Sequence, residues 1–171
     1  NNDGLVQIAE ISTVGPDYAY TDLSRLPDAI YSARFSIGDG ESADKAFDSD
    51  VNTKWLDHND WQGAPTTDDP SWIQVDFTQK QIVSGLAITS ANDAPERDPE
   101  NFSLLGSNDG GETWVEVAAW VGESWDTRFE RRSFDFANGF GYLSYRLNIS
   151  KNANNDGLVQ IAEIELLGLE Q

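Results

Sequence analysis

The residues best suited to chemistry lie in one short run, Lys45 to Trp55, which reads KAFDSDVNTKW. Asp48, Asp50 and Thr53 place side-chain oxygens at short, irregular intervals, the spacing of a turn rather than of a helix or strand. A hard cation such as Ca²⁺ takes six to eight oxygens at about 2.4 Å, backbone carbonyls among them, and a tight loop can turn several of these inward together. The run lacks the glycine and terminal glutamate of an EF-hand. An aspartate-rich turn also caps its own backbone amides without any metal, and spacing alone favours that simpler use.

Three other segments carry side chains that suit a polar ligand. Leu56 to Pro70 holds His58, the single histidine, and Trp61. Ala91 to Pro99 (ANDAPERDP) holds Asn92, Asp93, Glu96, Arg97 and Asp98, and Gly122 to Arg128 holds Trp125. Sugars offer C–H faces that stack on aromatic rings and hydroxyl pairs that suit Asp, Asn and Arg forks. Each group has a plainer use: Arg97 between Glu96 and Asp98 can brace its own loop, and Trp61 and Trp125 can pack inward. Catalysis has little to draw on. Cysteine is absent, so thiol chemistry is excluded, and one histidine leaves a Ser-His-Asp triad a single candidate base. No glycine-rich phosphate loop occurs, and among 30 acidic residues paired carboxylates carry no information.

These segments must be held by a scaffold. The 171 residues are 39% hydrophobic, with six Trp, eight Phe and five Tyr, enough for one domain with a continuous core. The net charge of −19 repels phosphate backbones and anionic lipids, which argues against nucleic acid and membrane partners. No apolar run approaches the roughly 18 residues of a bilayer span. Without disulfides, stability must come from the core and from a metal if one binds.

Short runs with period-two alternation fill most of the chain: Ile73–Phe77, Ile82–Thr89, Phe102–Gly106, Trp114–Trp120, Arg132–Phe136, Tyr142–Ile149 and Val159–Leu167. Asn108-Asp109-Gly110-Gly111, Asn138-Gly139 and Asn155-Asp156-Gly157 supply turns between them. About eight strands with such turns predict an all-β chain, an antiparallel β-sandwich. Trp55, Trp72 and Trp114, on or beside strands, are expected in its core. Residues 1–11, NNDGLVQIAEI, recur letter for letter at 154–164. The expected organisation is the tail of a preceding tandem repeat, or an N-terminal edge strand, over 1–13, then one domain over 14–171.

The run AFDSDVNTKW, then SWIQVDF, then ANDAPERDPENFSLLGSNDGGETW, then YRLNI with QIAEIELLG resembles the discoidin, or coagulation-factor C-type, domains, which include the family 32 carbohydrate-binding modules. The resemblance covers residues 33–168. It implies a jelly-roll sandwich with one structural Ca²⁺, held by the Lys45 carbonyl, Asp48, Asp50, Thr53, the Ala162 carbonyl and the Glu163 carboxylate. It also implies a non-catalytic module of a larger secreted or cell-surface protein, with a loop-borne site for a neutral poly- or oligosaccharide formed from Asn92, Asp93, Arg97, His58, Trp61 and Trp125. The chain departs from the galactose-binding pattern: His58 stands three residues after Trp55, and Ala91 and Asn92 open the second loop. The alternative is an adhesion or spacer domain that contacts neighbouring domains in a tandem array.

Overall fold

A computed structural model describes residues 20–169; the expected N-terminal segment 1–13, with the repeat copy at 1–11, lies outside the described residues. Eleven strands follow in order: β1 (Thr21–Asp22), β2 (Ile30–Ala33), β3 (Trp55–Asp57), β4 (Ser71–Gln81), β5 (Val83–Thr89), β6 (Pro99–Ser107), β7 (Val115–Trp120), β8 (Arg131–Asp135), β9 (Tyr142–Asn152), β10 (Val159–Ile161) and β11 (Glu163–Gly168). They form a five-stranded sheet in the order β2-β4-β9-β6-β7, a four-stranded sheet in the order β1-β11-β5-β8, and a small β10-β3 pair. Every pairing is antiparallel. The expected all-β sandwich is the fold.

Alternation dictates which face goes in. Ile73, Val75 and Phe77 of β4 meet Tyr145, Leu147 and Ile149 of β9 and Phe102 and Leu104 of β6 in the core, and Leu86, Ile88, Ile164 and Leu166 close it from the other sheet. Two close approaches fix the packing. A Cβ on Gly106 would meet the Tyr142 ring at 2.5 Å, so only glycine lets that ring lie on β6. Tyr145 donates its hydroxyl proton to the Gln81 carbonyl at 2.8 Å and accepts from the Val83 amide at 3.2 Å, which pins the link between the sheets. Burial pushes this hydroxyl up to about 12.

Two expectations need correction. Val159–Leu167 is not one strand: it breaks at Ala162, where pairing passes from β3 to β5 and the Ala162 amide donates to the Thr89 carbonyl at 3.0 Å. Trp55 is fully buried, its indole N–H donating to the Phe35 carbonyl at 2.9 Å, but Trp72 and Trp114 stand half-buried on the outer face of the larger sheet. They clasp the Arg146 guanidinium at 4.1 and 4.3 Å, an arrangement that suits a cation on two ring faces better than either ring would suit the core.

Candidate functional site

The loop before Trp55 is anchored at both ends. Ala46 and Phe47 are buried, Phe47 stacking on Tyr31 at 4.5 Å, and Trp55 is sealed beyond it. Between these anchors the chain turns on its own carboxylates. Asp48 accepts from the Asp50 amide at 3.0 Å, and Asp50 accepts from the Asn52 amide at 3.0 Å and its side-chain NH₂ at 2.7 Å. The Asp50 side chain is thus a cap; its carbonyl is the oxygen that faces Thr53.

Acceptors outnumber donors at one point of the loop, although the Asp50 amide and the Lys45 ammonium also reach Asp48 and the Thr53 amide donates to the Asp50 carbonyl at 2.9 Å. The Thr53 hydroxyl lies 2.9 Å from both carboxylate oxygens of Asp48, 2.9 Å from the Asp50 carbonyl and 3.3 Å from the Lys45 carbonyl. A hydroxyl has one proton and can serve one of those four acceptors. Across from it, Glu163 is 4% exposed; one oxygen takes a hydrogen bond from Arg25, and the other is buried with no donor among the described residues. Burial raises the Glu163 pKa, Arg25 opposes the rise, the negative charge of Asp48 adds to it, and the Ser49 amide lowers it. Asp48, Ser49 and Glu163 are therefore close neighbours, drawn from distant stretches of sequence. Lys45 offers partial compensation, its ammonium 3.3 Å from Asp48.

Among the described residues no three carboxylate, imidazole or thiol side chains gather in a metal-binding group. The donor set here is of another kind: two carboxylates with backbone carbonyls and a hydroxyl. Such an oxygen-only set fits a hard cation and does not suit zinc. The orphaned Glu163 oxygen and the surplus acceptors around Thr53 are what a divalent ion would satisfy.

A second group of loops meets at the same end of the sandwich. Lys54, nearly buried, reaches Asp93 at 2.6 Å and the buried Gln160 side chain at 3.0 Å, and Gln160 donates to the Ala94 carbonyl at 3.2 Å. Arg128 forks onto the buried Asp98 carboxylate and lies 3.3 Å from the Asp93 carbonyl. Arg97 pairs loosely with Asp156 at 3.7 Å. The expected ligand residues thus divide. Asn92 is exposed and makes no hydrogen bond to the described residues, whereas Asp93 is engaged by Lys54, which holds its carboxyl below the usual range. His58 is half-buried beside the Phe35 ring at 5.1 Å, and the side chain of Trp61 lies outside the described residues. Trp125 is a correction. It is 7% exposed within the core cluster, donates to the Ile88 carbonyl at 3.4 Å and presents no open face to a ligand.

Among the described residues of these loops, an aromatic that is exposed is Phe129. It is 44% exposed and sits at φ 60°, a backbone region that bulky side chains avoid. The surrounding turn holds it there. Glu130 accepts from the amides of Asp126 (2.7 Å) and Thr127 (3.1 Å), and its own amide donates to Ser90, whose hydroxyl donates to the Thr127 carbonyl. Its neighbour Arg128 bridges to residues 91–98. In the sequence the only sign of Phe129 is an aromatic between two charges, outside any alternating run.

A family model described as F5/8 type C domain matches residues 30–164. A peptide-N(4)-(N-acetyl-beta-glucosaminyl)asparagine amidase of Arabidopsis thaliana is 32% identical over 129 residues, 72% of this chain, so the matched stretch spans 17% of that protein. Among solved structures, the family 32 carbohydrate-binding module of Clostridium perfringens NanJ in complex with galactose superposes with a TM-score of 0.65 at 19% identity, covering 82% of this chain and 94% of that one. An F5/8 type C domain of Bacteroides fragilis gives 0.69 at 13% identity over 92% and 100%. A chitosan-binding module from a Paenibacillus sp. IK-5 chitosanase/glucanase gives 0.63 at 19% over 82% and 95%.

Proposed function

Because this chain belongs to the F5/8 type C domain family, with the fold of the family 32 carbohydrate-binding modules, we propose that it is a non-catalytic glycan-binding module. The observation that carries this is Phe129, an exposed ring in a strained backbone conformation, fixed by a hydrogen-bonded turn and next in sequence to Arg128, which reaches the carbonyls on either side of the exposed Asn92. Strain held this firmly is the mark of a side chain placed for use. The ring would take the C–H face of a pyranose while Asn92 and the rim of the 91–98 loop meet its hydroxyls, with Arg97 and His58 at the margin. Asp93 and Asp98, tied to Lys54 and Arg128, serve as the frame.

In this reading a Ca²⁺ ion is held by the Lys45 and Ala162 carbonyls, the Asp48 and Glu163 carboxylates, Asp50 through its carbonyl, and Thr53. Bound there, the ion supplies positive charge and no chemistry. The protein's contribution is to bring the two stretches together, since Trp55 anchors the loop and the break at Ala162 aims Glu163 toward it. The high negative charge and the repeated segment at 154–164 support a place among neighbouring domains of a larger secreted or cell-surface protein, with a neutral glycan as ligand. No helix among the described residues is long and apolar enough to cross a membrane.

Affinity electrophoresis across a panel of neutral and amino-sugar polysaccharides tests the reading. Retention on at least one polymer, lost in Phe129→Ala and weakened in Asn92→Ala, is the expected result. Retention on none, or retention indifferent to Phe129, removes the site and moves the weight to a spacer role.

A further inference from the structure

The outer face of the five-stranded sheet carries a feature that the loop end does not use. A groove of about 270 Å³ runs over β6, β9 and the rim of β7, with Asn101, Ser103, Asn148 and Ser150 on its floor and Pro70 and Val121 on its walls. The register explains the alignment: Asn148 on β9 lies directly opposite Ser103 on β6, and Ser103 opposite Ala119 on β7. One rung along, Arg146 is clasped between Trp72 and Trp114 and bonded to Gln74 at 2.7 and 2.9 Å, which makes a rigid border. Half of the floor is engaged, since the Asn101 side-chain oxygen accepts from the Gly122 amide at 2.9 Å and the Ser150 hydroxyl donates to the Asn101 carbonyl at 3.4 Å, and its centre is free. The Ser103 hydroxyl and the Asn148 amide make no hydrogen bond to the described residues, and the Asn148 carbonyl oxygen is covered without a donor.

Two properties select the occupant. The backbones of β9 and β6 under the floor are paired on both sides, so recognition on the floor must come from side-chain amides and hydroxyls, and only β7 at the rim keeps a free edge. The groove also holds one charged side chain, Glu116, in a chain where 24% of residues are charged, so neither a polyanion nor a polycation finds complementarity. What remains is an uncharged chain rich in hydroxyls, with C–H faces for Pro70 and for Val121, which is 77% exposed.

We propose that this groove is a second glycan-binding surface, distinct from the loop end, which takes a neutral oligosaccharide through Asn148, Ser103 and Ser150. It goes beyond the loop-site reading and stands independently of it. The paired Asn148 amide and Ser103 hydroxyl offer donor and acceptor side by side, the pattern that a vicinal diol or an N-acetyl group meets.

The test is a two-dimensional amide NMR titration of the isotope-labelled protein with neutral tetrasaccharides: β-1,4-gluco-, xylo- and galacto-oligosaccharides and tetra-N-acetylchitotetraose. Saturable shifts at Ser103, Asn148 and Ser150 are expected with at least one sugar, at a dissociation constant on the order of 1 mM or tighter. They should persist in Phe129→Ala, weaken about fivefold in Asn148→Ala, and vanish in Ser103→Trp, which fills an exposed groove without touching the core. Groove shifts without loop-end shifts would sustain this proposal and sink the loop reading. Shifts confined to the loop end, no shifts at all, or groove shifts that survive Ser103→Trp would overturn the proposal.

Discussion

Two loops at one end of this sandwich are built from the same parts and balance them in opposite ways. In the 125–130 turn the carboxylates that face the protein meet donors: Glu130 takes two backbone amides, and the buried Asp98 beside it takes the Arg128 fork, while Asp126 is left to solvent. In the 45–53 loop the Thr53 hydroxyl lies within reach of four acceptor oxygens, three of which have one other donor each, and a buried Glu163 oxygen has no hydrogen-bond donor among the described residues. The first loop is self-sufficient and can spend its rigidity on displaying Phe129. The second has acceptors to spare, and on the proposed reading an ion completes it. If the proposed ion binds, an excess of acceptors over donors, rather than a count of aspartates, is what separates an ion cradle from a capped turn.

The strongest way to break that contrast is to create a shortage in the matched loop. Arg128→Ala leaves Asp98, 2% exposed, as a buried carboxylate without its partner. Removing one member of such a pair costs about 3–5 kcal/mol. Urea unfolding should show a loss of that order, unrelieved by calcium because the new deficit lies in another loop. A loss below about 1 kcal/mol would place the pair with the weak exposed bridges and remove the claim of a self-sufficient frame.

The complementary experiment supplies what the deficient loop lacks. Calcium at about a hundred times its dissociation constant should stabilise the domain by about 2.7 kcal/mol, because the folded state alone gathers the ligands. Asp48→Asn and Glu163→Gln should each abolish the response while leaving the domain folded, and Arg128→Ala should keep it. Melting curves with and without EDTA give the measurement. Superimposable curves for the unaltered protein would remove the cradle. Part of the closure survives without the ion, since Arg25 bonds Glu163, Asp22 and the Phe47 carbonyl at once. Loss of calcium should therefore lower the melting temperature without unfolding the chain.

The sandwich was legible because alternation is a property of neighbouring residues, and all seven expected runs lie on strands. The split at Ala162 was not, since an unbroken apolar run does not register a change of partner strand. The two short early strands, Thr21–Asp22 and Ile30–Ala33, leave too few residues for any period to show. At the cradle, sequence supplied the loop, and only the resemblance supplied Ala162 and Glu163, because nothing local links residues more than a hundred positions apart. The ligand end was the least legible. Exposure is set by neighbours: Trp125 turned inward onto Phe102, while Phe129, four residues later, turned out on a positive φ that no composition signals.

Donors pull a carboxyl down and burial pushes it up, and the exposed β6–β7 turn, where donors act almost alone, provides the smallest and cleanest case. Asp109 accepts from the Thr113 amide and hydroxyl and from the Ser107 hydroxyl, and these donors hold it at about 2. A folded-state value below the ordinary 3.8 means that the unfolded chain takes up the proton first. Its contribution is therefore complete above about pH 4 and fades as pH falls toward about 2. Buried Asp98 and Glu163, raised by burial, act oppositely: their protonated forms favour the fold, and that help is lost as pH rises through their elevated values. Asp109→Asn should leave the calcium response untouched and flatten the acid limb of the melting-temperature profile slightly. The turn is exposed, so the change should be the least of those described here. An acid limb unchanged by Asp109→Asn would mean that these three hydrogen bonds do not hold the carboxylate in solution, and that matched donors alone do not mark a self-sufficient loop.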